Sequence, residues 1–258
     1  MGLFSGYRAD RLIADVRESG DPGSPKAKQA LARLQGLGAT AIGPIVEALS
    51  TSDKRETVAF VEALTALIDN KTFPLLAKAL AEESPRAVAG VAWALSSSRE
   101  YSPQLLLNLL GAPGVARPAV LGVIAAHKSR FQLRELLNTA YQQEANEKAA
   151  LFRIIGDIVD ETSVDELVSR VEGKDPIARM HIIALLARFN TTKVRAALTG
   201  TLKDPNKLVR AAALQALAAM EGPVDPAQVA PLLRDSDLDV QNKAVDLLCR
   251  SKHPDTVR

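Results

Sequence analysis

A residue pair that returns every 31 positions constrains this chain more than any other feature. Val209-Arg210 is followed 31 residues later by Val240-Gln241 and preceded 31 residues earlier by Ala178-Arg179. Four places on from each first member stand Ile182, Ala213 and Ala244. Seven and eight places on stand Leu185-Leu186, Ala216-Leu217 and Leu247-Leu248. Offsets of four, seven and eight share one face of an α-helix. Upstream the same grammar is looser. It reads as Ala59, Ala63 and Ala66-Leu67; as Ala87, Val91 and Ala94-Leu95; as Ala116, Val120 and Val123-Ile124; and as Ala150, Ile154 and Asp157-Ile158, where Asp157 interrupts it.

Each of these helices follows another apolar one, such as "IGPIVEALS", "FPLLAKALA", "PQLLLNLLG" or "VRAALTGTL". Between the two lie turns built of helix starters: "SD" at 52–53, "ESP" at 83–85, "APG" at 112–114, "KDP" at 174–176 and 203–205, and "DSD" at 235–237. Asp or Ser followed by Pro is N-cap and first-turn chemistry. The unit is therefore helix, tight turn, helix, and eight pairs are expected, the first being "YRADRLIADV" then "PKAKQALARL". No segment alternates with strand period, so the expected fold class is all-α, an α-solenoid of about eight antiparallel helix pairs. A single pair cannot bury its apolar face; stacked pairs share one core. The composition suits that design. Hydrophobic residues make up 47% of the 258 residues but aromatics only 4%, so Ala and Leu must do the packing, and alanine lets neighbouring helices come close while favouring helix itself.

These residues resemble the HEAT-repeat family, and within it the short bacterial HEAT-like units of the phycobilisome-lyase type. Asp204-Pro205, Val209-Arg210, Ala213 and Ala216-Leu217 carry the resemblance. It implies an armadillo-like superhelix spanning 1–258 as one array, used as scaffolding. It also implies a ladder between repeats, made by a turn Asp and a second-helix Arg six residues apart. Asp204 and Arg210 have that spacing; Asp235 is followed at six by Gln241, and Asp175 by Arg179 at only four, so the ladder is expected to be incomplete. Val257-Arg258 lines up with Val194-Arg195, which opens an earlier first helix. The chain is therefore expected to be the N-terminal part of a longer protein.

The charges nearly balance, 32 basic against 30 acidic for a net +2. That gives no strong attraction to nucleic acid or anionic membrane. The modest cluster Lys203, Lys207 and Arg210 is offset by Asp204, Asp235, Asp237 and Asp239, so nucleic acid is not the expected partner. No apolar run reaches the roughly 18 residues of a membrane span, and the start "MGLFSGYRAD" lacks a signal-peptide layout. The lone cysteine, Cys249, rules out an internal disulfide framework and reads as a small apolar residue on a helix face. A cytoplasmic location is the expectation, and oligomeric state is left open.

Catalytic chemistry finds no support. His127, His181 and His253 are far apart, and none is followed by Glu, whereas HEAT-type metal enzymes of the deoxyhypusine hydroxylase kind carry His-Glu pairs. Phosphate-binding glycine loops and nucleophile-elbow motifs are missing from the sequence. Glu82-Glu83 and Asp160-Glu161 fall at helix ends, where acids are solvated. No cofactor and no metal site are expected.

Two features point toward recognition. Arg117, Arg179 and Arg210 share one repeat position, serving either the ladder or an anionic contact surface. Trp93, the only tryptophan, matches Thr65 and Gln215 in register, beside the apolar pair; aromatic anchors on rigid scaffolds are common hot spots. The expectation is a non-catalytic scaffold or regulatory module that binds a protein or peptide in a concave groove lined by second helices. Its contact residues would be Trp93, Arg117, Arg179, Lys207, Arg210 and Gln215. The alternatives are a phycobilisome-lyase-like chaperone handling a tetrapyrrole or, below it, a HEAT-like DNA-binding protein.

Overall fold

The computed structural model describes residues 2–222 and 224–250, with side chains from Tyr7 onward. The segment containing His253 and Val257-Arg258, on which the expected continuation rests, lies outside the described residues. Among those described there are α-helices and short 3₁₀ turns and no strand. The chain is an all-α solenoid, and it divides into two compact units, Met1–Phe131 and Gln132–Arg258.

Four helix pairs build the first unit: α1 (Gly2–Glu18) with α2 (Pro25–Gln35), α3 (Ile42–Thr51) with α4 (Lys54–Thr65), α5 (Phe73–Glu82) with α6 (Pro85–Ser97), and α7 (Gln104–Leu109) with α8 (Arg117–Ala126). The turn chemistry read from the sequence starts these helices. Ser24, Asp53 and Ser84 each sit in extended backbone and accept a bond from a first-turn N–H; Asp53 and Glu56 form a reciprocal capping box. In the "APG" turn Gly114 takes φ +73°, a left-handed conformation that disfavours any side chain. The second helices α2, α4, α6 and α8 pack against one another in order, and the first helices α1, α3 and α5 form the other layer.

The second unit repeats the plan with α9 (Leu133–Tyr141), α10 (Ala145–Gly156), α11 (Val164–Arg170), α12 (Pro176–Leu186), α13 (Thr192–Gly200), α14 (Lys207–Ala219), α15 (Pro226–Val229) and α16 (Leu238–Arg250). Its second helices α10, α12, α14 and α16 are again packed in sequence.

The core is aliphatic, as the scarcity of aromatics requires: apart from Phe60, the largest fully buried side chains are Leu and Ile. Among the described residues the tightest helix approach at a glycine is at Gly90. At Gly90 of α6 an added Cβ would lie 2.8 Å from a methyl of Leu49 in α3, and Leu49 is itself buried.

Two of the expected registers shift. In α4 the places four, seven and eight of the pattern are filled by buried Phe60, Ala63 and Leu64, with Ala59 and Val61 buried beside them, while Ala66 is exposed. In α10 the same places are filled by Leu151, Ile154 and Ile155, with Lys148 and Phe152 buried as well. Both true registers begin three residues earlier than the alanine pattern suggests. The interruption at Asp157 therefore vanishes, because Asp157 lies past the end of α10.

Candidate functional site

A row of charged pairs links consecutive repeats of the second unit. The Lys148 ammonium of α10 binds the Asp175 carboxylate, which caps α12. Arg179 of α12 binds Asp204, in the turn before α14. Arg210 of α14 grips Asp235, in the turn before α16, through two parallel bonds of 2.7 Å. The side chains of the last two pairs are only 6–12% exposed. Each rung joins the second helix of one repeat to the turn of the next. Three of them, at Lys148, Arg179 and Arg210, sit 31 residues apart.

This corrects the expected ladder in two ways. The carboxylate partner is 25 residues ahead of the arginine, as at Arg179–Asp204 and Arg210–Asp235, rather than six behind it. The six-residue offset is real, but it is a bond to backbone: Arg210 donates to the Asp204 carbonyl at 2.8 Å, and Gln241 to the Asp235 carbonyl at 2.6 Å. The spacing of four from Asp175 to Arg179 consequently breaks nothing, because Asp175 belongs to Lys148. The sequence reading missed Lys148, although its place 31 residues before Arg179 marks it.

The electrostatics follow. Hydrogen bonding to the Arg210 guanidinium holds the Asp235 carboxyl below the usual carboxylate range and lifts Arg210 in turn. Burial pushes Asp175 up, but the Lys148 ammonium and the backbone N–H groups of α12 outweigh it and the net shift is downward. Lys207 and Asp237, 2.8 Å apart, move each other in opposite directions, the lysine up and the aspartate down.

The six expected contact residues therefore divide. Arg179 and Arg210 are consumed by the rungs; of the two roles weighed for the arginine stripe, theirs is the ladder. Arg117 opens α8, half-buried and engaged in an interaction of its own. Lys207 leans onto Asp237 with most of its side chain in solvent. Trp93 and Gln215 are different. Each lies nine residues past its helix N-cap, Ser84 or Asn206, and each is exposed, Trp93 by 48%. Thr65 drops out of this register; the matching residue of α4 is the exposed Glu62. In the second unit the same position carries Arg153, Ala184, Gln215 and Asp246, all exposed and all 31 apart. Gln215 and Asp246 line an open cavity of about 420 Å³ between α14 and α16, with Leu214, Ala218 and Lys243.

The remaining candidates are accounted for structurally. His127 is buried, with Nε2 2.8 Å from the Leu95 carbonyl, which also accepts from the Tyr101 hydroxyl; facing a carbonyl, Nε2 must carry the proton. His181 stacks on Phe152 at 4.8 Å, and burial with the Lys148 charge lowers its pKa. Cys249 is exposed instead of resting against the core. Glu82 pairs with Lys78, and Asp160 caps the turn at Glu161–Ser163. Among the described residues no group of three or more His, Cys, Asp or Glu is placed to hold a metal ion, and no helix is long and apolar enough to cross a membrane.

Comparison with known proteins adds the following. The family described as HEAT repeats matches residues 132–218 and 164–249. No curated protein matches. Solved structures with a similar course of chain include human deoxyhypusine hydroxylase in complex with glycerol, at 17% identity over 96% of this chain and 97% of that one, TM-score 0.39. Another is an engineered protein, at 15% identity over 94% of this chain and 78% of that one, TM-score 0.36.

Proposed function

We propose that this chain, whose residues 132–249 match the HEAT-repeat family, is a non-catalytic interaction module. It binds a protein or peptide partner on the exposed face of its second helices. The observation that supports this most is the division of labour along those helices. Four residues past the N-cap, at Lys148, Arg179 and Arg210, polar side chains turn into the repeat-to-repeat rungs. Nine residues past the N-cap stand exposed side chains: Arg153, Ala184, Gln215 and Asp246 in the second unit, which has the rungs, and Arg33, Glu62 and Trp93, the only tryptophan of the sequence, in the first. A half-exposed tryptophan on a rigid helix loses little entropy when it is covered, and such anchors dominate interface energies.

Trp93 and Gln215 are the residues on which this reading rests, each within its own unit. Arg179 and Arg210 hold the scaffold. The test is quantitative capture of partners from the native host by the full chain, by Trp93→Ala and by Gln215→Lys. The reading expects a protein set bound by the wild type and lost from at least one variant, with unchanged circular dichroism. Retention of the same set by both variants overturns it.

A further inference from the structure

We propose that the cleft between α1 and α2 is a docking site for an acidic peptide segment of a partner protein. Tyr7, Arg8, Arg11 and Asp15 of α1, with Arg33 near the end of α2 and Leu37 in the turn after it, line an open cavity of about 810 Å³. Three arginines against one aspartate is a local departure from a chain whose charges nearly balance. Several arginines elsewhere are engaged, while Arg55, Arg86 and Arg234 stand singly at exposed sites. Arg17 bonds Thr51 and the Ala48 carbonyl, Arg130 the Tyr101 carbonyl, Arg170 Glu166, and Arg179 and Arg210 the rungs. Arg8, Arg11 and Arg33 have no hydrogen-bond or ion-pair partner among the described residues.

Three like charges gathered in one hollow with a single carboxylate, Asp15, repel one another unless a further anion sits among them. The last turn of α2 favours a cation at Arg33 through the helix dipole, which explains its position and leaves its guanidinium free. Arg8 and Arg11 are three apart and so neighbours on α1; Arg33 approaches from the other helix. Guanidinium forks take carboxylates in pairs of parallel bonds. Three forks on two rigid helices thus match an extended chain bearing several Asp or Glu. The 71% exposed Tyr7 ring beside them can cover its apolar parts. A nucleic acid fits less well, because it needs a longer basic track and more than one stacking ring.

The test uses the full chain and a fluorescein-labelled hexaglutamate peptide, read by anisotropy at low salt. The triple variant Arg8→Gln/Arg11→Gln/Arg33→Gln is compared with a charge-matched control at exposed sites elsewhere, Arg55→Gln/Arg86→Gln/Arg234→Gln. The expected result is saturable binding by the wild type, weakened at least tenfold in the cleft variant and retained by the control. Absence of saturable binding, or equal loss in both triples, overturns the proposal. So does equally tight binding of a single-stranded oligothymidylate that is lost in the same variant. If the triple variant melts early, Arg33→Gln alone must still weaken binding several-fold, and an unchanged affinity counts against the site. Trp93→Ala must leave hexaglutamate affinity unaltered, which separates this site from Trp93 although Arg33 shares its place nine residues past the N-cap.

Discussion

Among single residues, the rungs invite the sharpest experiments. Removing one member of a part-buried, hydrogen-bonded ion pair leaves the other without its partner and costs about 2 kcal/mol. Arg210→Ala is therefore expected to destabilise the second unit by about that amount in denaturant titration, through loss of both Asp235 bonds and the bond to the Asp204 carbonyl. Lys207→Ala, whose salt bridge is largely solvent-screened, should leave the transition where it was. The same pairs set a pH dependence. Asp175, Asp235 and Asp237 titrate below their ordinary value when folded. Their contribution is then complete above the unfolded Asp pKa of about 3.9 and is lost as pH falls through the lower folded values. Thermal melts from pH 6 down to pH 2 should show stability falling below about pH 4, with a shallower fall in Asp235→Asn. A curve of unchanged steepness in that variant would remove Asp235 from the account.

Individual helices test the packing through two glycines. Gly90 and Gly122 are both interior to helices, α6 and α8, where alanine is favoured by about 1 kcal/mol. At Gly122 a Cβ meets nothing within 4 Å, so Gly122→Ala should stabilise by nearly that amount. At Gly90 the Cβ presses on buried Leu49, and overpacking of about 1–3 kcal/mol outweighs the propensity gain. Gly90→Ala should accordingly lower the melting temperature while Gly122→Ala raises it.

Helix existence, pairing and turn positions were legible in the sequence because Pro, Asp and Ser punctuate them. Register was not always legible. Ala59, Ala66 and Ala150 suit core and surface equally, so an alanine-rich helix carries little contrast between its faces. The N-caps Asp53 and Glu144 were better anchors, since counting from them recovers Phe60 and Leu151. At the candidate site Trp93 and Gln215 could be placed from register alone. Lys148 could not, because a lysine reads as solvated until a carboxylate is seen beside it. The cleft arginines escaped notice for another reason: Arg33 lies 22 residues beyond Arg11, and only the α1–α2 turn brings them together.

For the molecule as a whole, a solenoid is a set of repeats coupled to their neighbours, and its stability is the sum of repeat and interface terms. In the second unit the rungs turn part of that interface term into a few nameable bonds repeated at a fixed period. They leave the row nine residues past each N-cap free for a partner. If Arg210 and Asp235 were only incidental surface charges, substituting them would have independent effects. A double-mutant cycle on Arg210→Ala and Asp235→Ala, read in the full chain by hydrogen exchange of the α14 and α16 amides, measures this directly. The account predicts a coupling of about 2 kcal/mol between the two positions. Additive effects, with coupling under about 0.5 kcal/mol, would contradict it.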